Sequence, residues 1–357
     1  MMRAVVAMSG GVDSSVSAYL LKRKGFDLIG VSLQVWDYSK SCSSLTKTCC
    51  SPKDFQDARL VAAKLNIPFY VFDLEENFQQ SVINKFTKSY LSGFTPSPCI
   101  DCNVFVKFGE LMRRATLLEY QYVATGHYAR VVESEGFLRL ARSLDADKDQ
   151  SYYLYGLGQE LLNRVIFPIG ELTKSEVRKI ASEQGFVNAE KKESQDLCFI
   201  ATSVGDFIKA SANGDCSGVF RYMDGRVLGF TDNIFKFTIG QRKGLGISWP
   251  NPLYVIKIDP ESKSVVVGEK EFLRIKEFKV DNWVAYSKDN FLEGIIQVRS
   301  RHKGARAIVK VCSHQTATVR LLDDEIHVVV PGQAAVLYDS TNSQILGGGR
   351  IVSWIVK

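Results

Sequence analysis

The sequence predicts an α/β protein: a doubly wound, mainly parallel sheet, followed by a small central β domain and a C-terminal β-barrel. Three observations carry this. Through about residue 128, short apolar runs alternate with segments of helical period, the rhythm of a parallel sheet covered by helices on both faces. Beyond about Gly205 that rhythm gives way to short β-branched and aromatic runs separated by turns such as Asp224-Gly225, an all-β pattern. From about Val280 onward the β runs are spaced as in a six-stranded barrel. The expected domains are therefore 1–204, 205–278 and 279–357.

Arg3-Ala4-Val5-Val6-Ala7-Met8 is an apolar run that reads as a buried strand. Ser9-Gly10-Gly11-Val12-Asp13-Ser14-Ser15 follows, and Val12, Val16, Tyr19 and Leu20 then repeat at helical spacing until Gly25 offers a stop. A strand, a glycine turn and a helix in this order make an anion site. Glycines let backbone N–H groups converge, and the positive end of the helix dipole points at the same spot. Hydroxyls of Ser9, Ser14 and Ser15 are expected to add hydrogen bonds to phosphate oxygens. Neither the Gly-Lys-Ser/Thr ending of a Walker A loop nor Gly-x-Gly-x-x-Gly is present.

Residues 31–35 read as a second strand. Ser51-Pro52-Lys53-Asp54 starts a helix, with Phe55, Ala58, Ala62 and Leu65 as its buried stripe. Residues 67–72 make a third strand, and Phe78, Val82, Phe86 and Tyr90 a helical pattern ending at Gly93. Residues 94–103 read as a loop, and Phe105, Phe108, Leu111, Met112 and Ala115 as a further helix. A strand at 122–125 ends on Gly126-His127-Tyr128. Residues 138–142 suggest a hairpin strand, and 147–151 a polar loop before an aromatic helix. Thr173-Lys174-Ser175-Glu176 is a capping box whose helix closes at Gly185. The β half offers strands near 218–220, 226–228, 254–256 and 264–267, then 294–298, 307–311, 316–322, 326–330 and 334–338. Ligands of parallel sheets gather at the carboxyl ends of strands. The serine-glycine turn, the region after Val35 and Gly126-His127 all fall there.

With 357 residues the chain can hold two or three domains; 45 basic and 39 acidic side chains give +6, which permits a nucleic-acid partner without demanding one. No stretch approaches the roughly 20 apolar residues of a membrane span, and the N-terminus lacks a signal-peptide core, so a cytoplasmic protein is expected. In a reducing compartment the eight cysteines read as chemistry or metal ligands rather than staples. Cys42, Cys49 and Cys50 share one loop, where the vicinal pair reads as loop structure. Cys216 and Cys312 read as small buried hydrophobes. Cys99 and Cys102 form C-x-x-C, with Cys198 apart. Two thiols at a nucleotide pocket suggest sulfur handling through a persulfide. Half a zinc site, completed by Cys198 and His127 or another cysteine, fits the spacing as well. Arg299, Arg301, His302, Lys303, Arg306 and Lys310 form a basic run, and Gln241-Arg242-Lys243 lies in a glycine-rich turn. Either is a solvated face or a phosphate contact.

The 9–15 turn resembles the SGGxDS loop of the PP-loop ATP pyrophosphatases, which cleave ATP between its α and β phosphates and attach AMP to a substrate oxygen. With residues 95–103, 124–128, 147–153, 194–200, 238–246 and Pro331-Gly332-Gln333, essentially the whole chain resembles the bacterial tRNA-specific 2-thiouridylases. The resemblance implies ATP-dependent sulfur insertion at C2 of the wobble uridine in tRNAs for Lys, Glu and Gln. ATP, with Mg²⁺, would meet Ala7, Met8, Ser9, Gly10, Gly11, Val12, Asp13, Ser14, Leu33 and Gly126, Asp13 serving catalysis. Cys102 would be the nucleophile and Cys198 the persulfide carrier, joined in a disulfide after transfer. Ser97, Pro98 and Cys99 would hold the target base. His127, Lys148, Asp149, Gln150, Arg301, His302 and Gln333 would contact tRNA. A cysteine desulfurase or sulfur-relay protein would donate the sulfur, and the enzyme would act as a monomer.

The chemistry is consistent with these parts. A uracil C2 oxygen is a poor leaving group, and adenylation makes it expellable. One departure matters. Many members of the family carry aspartate where this chain has Cys99. Cys99, Cys102 and Cys198 could then hold a four-iron cluster with one open iron, an alternative to the persulfide. A PP-loop ligase using ammonia is the enzymatic rival.

Overall fold

The computed structural model describes residues 1–36, 52–192, 197–200, 202–212, 214–313, 315–323 and 328–355. The expectations for Cys42, Cys49 and Cys50, and for 194–196, lie outside the described residues. The chain forms two compact units. One comprises Met1–Val82, Cys99–Ala201 and Ser343–Ile345, the other Ile83–Pro98, Thr202–Asn342 and Leu346–Lys357.

The first unit begins β1 (Arg3–Ala7), α1 (Val12–Arg23), β2 (Asp27–Gln34), α2 (Pro52–Lys64), β3 (Phe69–Asp73) and α3 (Glu75–Phe78); α4 (Asn84–Leu91) belongs to the second unit. One helical run follows in three pieces: α5 (Pro98–Asp101), a π-type stretch Cys102–Glu110, and α6 (Leu111–Leu117). Next come β4 (Tyr122–Ala124), a hairpin of β5 (Ala129–Ser134) and β6 (Phe137–Arg142), α7 (Gln159–Leu162), β7 (Val165–Ile166) and α8 (Lys174–Glu183). The strands form one parallel sheet in the order β3-β2-β1-β4-β7. Strand order reverses between β1 and β4, where an open α/β sheet leaves a crevice. Val6 and Met8 pack with Val12, Val16 and Leu21 of α1, Ala58 and Val61 of α2 and Val177 and Ala181 of α8 into a buried core.

Two local readings are corrected. The 94–103 loop gives way to helix at Pro98, because proline suits a first helical position and Asp101 supplies an acid in that turn. Cys99 and Cys102 therefore sit on a helix, three residues apart and on one side. Wider turns from Cys102 are tolerated because Gly109 has no Cβ, which would lie 2.8 Å from the Val104 carbonyl oxygen. The aromatic helix after residue 150 is a single 3₁₀ turn, Ser151–Leu154.

In the second unit α9 (Val204–Ser211) packs on α4. β8 (Gly218–Tyr222), β9 (Val227–Thr231), β10 (Tyr254–Asp259) and β11 (Ser264–Gly268) form a sheet in the order β10-β11-β8-β9. β12 (Glu277–Ala285), β13 (Phe291–Gln297), β14 (Ala305–Ser313), β15 (Thr316–Leu321), β16 (Ala334–Tyr338) and β17 (Ile345–Trp354) close a barrel in the order β12-β15-β14-β13-β16-β17. Six strands are present, as the spacing predicts, and the last is β17; of the expected strand at 326–330, residues 326 and 327 lie outside the described residues and 328–330 are not strand. Three consecutive glycines, 347–349, disguise it. A Cβ on Gly347 would lie 2.4 Å from the Trp283 ring, so the bare backbone is what lets the strand pass. Cys216 is buried, whereas Cys312 is exposed. Ala307 and Val309 point into the barrel, so alternation along β14 turns residue 312 outward. No helix among the described residues is long and apolar enough to cross a membrane.

Candidate active site

α1 starts at Gly11, which has extended backbone angles and, among the described residues, no side-chain cap. Its first N–H groups thus face the end of the sheet with the helix dipole behind them. Gly10 adopts φ +72°, and a Cβ there would lie 2.2 Å from the Asp54 carbonyl oxygen, so only glycine fits. The Gly10 carbonyl accepts hydrogen bonds from Asn188 Nδ2 and Lys191 Nζ, both at 3.0 Å. Lys191 also pairs with Asp54 at 2.6 Å and Asp57 at 2.5 Å. Burial opposes its charge, but the two carboxylates outweigh burial and raise its pKa above the ordinary lysine value.

Ser14 Oγ donates to the Gly11 carbonyl at 3.0 Å and accepts from the Ser9 N–H at 3.3 Å. Ser15 corrects an expectation. It is fully buried, donates to the Gly11 carbonyl and accepts from Asn188 Nδ2 at 2.9 Å. It builds the underside of the turn and cannot reach a phosphate. From β4 comes Gly126, whose Cβ would lie 2.7 Å from the Ser14 nitrogen and 2.8 Å from the Asp13 carbonyl carbon. Strand end and helix start therefore meet backbone to backbone across the reversal point.

A cavity of about 230 Å³ opens here. It is lined by Ala7, Met8, Ser9, Gly11, Asp13 and Ser14 from the turn, by Leu33 from β2 and by Gly126. Gly10 lies behind this surface, and Val12 faces a neighbouring cavity of about 220 Å³. Phe55, Lys107 and Thr125 also line the first cavity; Phe55 reads in sequence as core, and Lys107 carries no signal there. His127 lines it too, beside Phe108 and Phe167, its Nδ1 2.7 Å from Thr125 Oγ1. Burial, and secondarily the charge of Lys107, pushes its pKa well below the usual histidine range. It is neutral at pH 7.

The second cavity shares Ser9, Gly11, Asp13 and Gln150 with the first. It is cationic, with Lys148, Lys174, Lys191 and Lys192 in its wall. Lys174 Nζ lies 2.8 Å from each carboxylate oxygen of Asp13, and the Tyr128 hydroxyl donates to Oδ1 at 2.9 Å. The sequence marks Lys174 only as the first residue of a capped helix. Asp149 is a brace: it pairs with Arg142 at 2.7 Å and accepts from the Ser143 and Ser151 N–H groups. Gln150 exchanges hydrogen bonds with the Tyr128 backbone. A larger cleft of about 860 Å³ is walled by Asp73, Glu75, Glu76 and Glu110. Arg114 also lines it and pairs with Glu110 at 2.9 Å, which leaves Asp73, Glu75 and Glu76 as the negative surplus that disfavours a triphosphate.

Cys99 is exposed, and Cys102 and Cys198 are half-buried. The stretch bearing Cys102 packs against α3, and Phe199, next to Cys198, packs edge-on against Phe78 of α3 at 5.8 Å. Both cysteine segments thus converge on one short helix. Among the described residues no three His, Cys, Asp or Glu side chains form a group able to hold a metal ion. This gives neither the zinc reading nor the three-thiolate cluster support among the described residues.

In the second unit, Gln333 Nε2 donates to the Thr95 carbonyl at 2.7 Å and the Thr95 N–H donates to Pro331, tying down the strap that leads to Ser97 and Pro98. Arg299, Arg301 and Lys303 are exposed between β13 and β14. Arg306 meets Glu293 across the strands at 3.0 Å. His302 is half-buried, its carbonyl bonded by Gln297. Gln241 folds its own turn through Thr238 and Lys243, leaving Arg242 and Lys243 exposed.

Comparison with known proteins agrees with this architecture. Residues 2–202 match the family profile described as tRNA methyl transferase HUP domain, residues 205–269 the tRNA methyl transferase PRC-barrel domain, and residues 272–351 the aminomethyltransferase beta-barrel domain. A tRNA-specific 2-thiouridylase MnmA of Leptospira interrogans is 43% identical over 356 residues, covering 98% of this chain and 94% of its own. One from Geobacter metallireducens is 44% identical, covering 98% and 96%, and one from Rickettsia bellii 43%, covering 99% and 96%. Similarity of this depth, unbroken from the glycine turn to the barrel, makes the chain a member of the tRNA-specific 2-thiouridylase family.

Proposed function

We propose that the chain is an ATP-dependent tRNA sulfurtransferase that replaces the C2 oxygen of the wobble uridine with sulfur, in tRNAs for Lys, Glu and Gln. The observation that carries the reading is the shared setting of two half-buried thiols, Cys102 and Cys198, and the phosphate cradle in one compact unit. ATP lies in the 230 Å³ cavity, its α-phosphate at the N-terminus of α1. The Gly11–Ser14 backbone then stabilises charge as pyrophosphate departs. Asp13, a single carboxylate at the cavity edge, suits Mg²⁺, which takes one or two carboxylates and completes its shell with phosphate oxygens and water. Bound there, the ion supplies neutralisation of phosphate charge.

A sulfur-donor protein, a cysteine desulfurase or relay protein, charges Cys198 as a persulfide. Cys102 thiolate attacks the Cys198 sulfur, the outer sulfur leaves as hydrosulfide with the bonding pair, and a Cys102–Cys198 disulfide remains. Hydrosulfide attacks C2 of the adenylated uridine and AMP departs; a cellular thiol reduces the disulfide. Ser97, Pro98 and Cys99 hold the flipped base. Neutral His127, with Lys148, Arg301, His302 and Gln333, guides the RNA, Gln333 by holding Thr95. The persulfide route is preferred over an iron cluster because the three thiols do not assemble as a ligand set among the described residues. The enzyme works in the cytoplasm as a monomer.

The test is anaerobic purification with iron and sulfide analysis, then pyrophosphate release and thiolation with and without tRNA. Release that requires tRNA, by iron-free protein that thiolates, supports the reading. Absence of tRNA-dependent release overturns it.

A further inference from the structure

Asp13 and Lys174 lie 161 residues apart in sequence and meet at two 2.8 Å contacts. The pair sits where the two cavities join, and both side chains are mostly sheltered, at 12% exposure for Lys174 and 28% for Asp13. Lys174 also stands over the Tyr128 ring, 5.8 Å from its centroid. Its backbone is anchored separately: the N–H donates to Asp145 Oδ2 at 2.8 Å, while Thr173 and Glu176 form the capping box. The ammonium is therefore on a long tether from a fixed point. Lys191 differs, being braced by two carboxylates and the Gly10 carbonyl. Of these two lysines, Lys174 is the one that can change partners without dismantling the turn.

A triphosphate entering the cradle presents its β and γ phosphates to the cationic second cavity, with more negative charge than the carboxylate Lys174 now faces. Charge-assisted bonds to phosphate oxygens are correspondingly strong. We propose that Lys174 is a charge latch: it holds Asp13 in the free enzyme, transfers to the β-phosphate when nucleotide binds, and neutralises pyrophosphate as it leaves. In that step the uridine C2 oxygen bonds to the α-phosphorus while the bridging bond to the β-phosphate breaks. The bonding pair leaves on pyrophosphate beside Lys174, and the uridine N3 proton passes to solvent. The inference rests on the adenylating activity proposed above and assigns that site a further catalytic residue.

Inorganic pyrophosphate and AMP are the probes, measured by calorimetry on the full chain, without divalent metal. Lys174→Met should weaken pyrophosphate binding about tenfold or more, leave AMP binding unchanged, and slow tRNA-dependent pyrophosphate release about 10²- to 10³-fold. Lys174→Arg should restore part of the pyrophosphate affinity. Asp13→Asn gives the distinguishing result: freeing the latch should tighten metal-free pyrophosphate binding, which a merely structural ion pair would not do. Wild-type pyrophosphate affinity in Lys174→Met, or unchanged or weaker affinity in Asp13→Asn, overturns the inference. Wild-type enzyme that releases no pyrophosphate with tRNA overturns the adenylation reading instead, and the binding results then stand apart from it.

Discussion

The phosphate cradle and the cysteine segments lie in the same unit and are built in opposite ways. Cradle atoms are locked: Gly10 against Asp54, Gly126 against Ser14, Ser14 and Ser15 on Gly11, Lys191 on Gly10. The thiols instead come from two separate segments that share a helix as their support, with Cys99 exposed and Cys102 and Cys198 half-buried. Backbone fixes the first region, so a ligand finds its donors already aimed. In the second, exposure of the thiols rather than a fixed backbone governs reactivity. Rigidity belongs where charge must be stabilised, and openness where sulfur must be delivered.

The largest expected effect tests whether the regions are separable. Cys198→Ser and Cys102→Ser should each lower thiolation by about 10³-fold or more while tRNA-dependent pyrophosphate release continues, since loss of a covalent nucleophile is rarely compensated. Release lost together with thiolation would break the contrast. Asp13→Ala should reduce pyrophosphate release, and with it thiolation, by about 10²-fold or more, and normal ATP turnover would remove the turn from the chemistry. Gly126→Ala sharpens the claim of rigidity. Its Cβ meets backbone atoms that cannot swing aside, so the KM for ATP should rise about tenfold, from the 1–3 kcal/mol typical of overpacking, with Cys102 alkylation by iodoacetamide unchanged. The smallest effect falls on the Cys102 helix. Arg113, with Arg114, holds the Glu110 carboxyl down at about 2 against the opposing effect of burial. A carboxyl lowered on folding stabilises above its ordinary pKa of 4.5, and that stability is lost as pH falls from there toward 2. Glu110→Gln should therefore flatten the decline of Tm with acid across that window and leave activity at pH 7 intact.

How far these regions are legible in sequence follows from the same contrast. A turn made by backbone advertises itself, since glycines at 10 and 11 and the following helical period leave few alternatives. Ser15 shows that finer reading was possible: three residues after Val12, it falls on the buried stripe with Val16, and helical spacing alone turns it inward. Lys174 was not legible, because its partner lies 161 residues away and its neighbours announce only a cap. β17 was hidden for a related reason. Its glycines carry no β signal, although they are what admits Trp283. At position 98 a proline closely following Pro96 suggests a loop as readily as a first helical turn.

Closure of the Gly10 carbonyl by Lys191 spans 181 residues. The turn is thus made well before the segment that completes it. Contacts so remote in sequence form late, after the entropy of joining distant segments has been overcome. A nascent chain bearing the whole glycine motif would still bind nucleotide poorly until the segment around Lys191 has emerged from the ribosome, so capacity for ATP is a late marker of maturation in this enzyme.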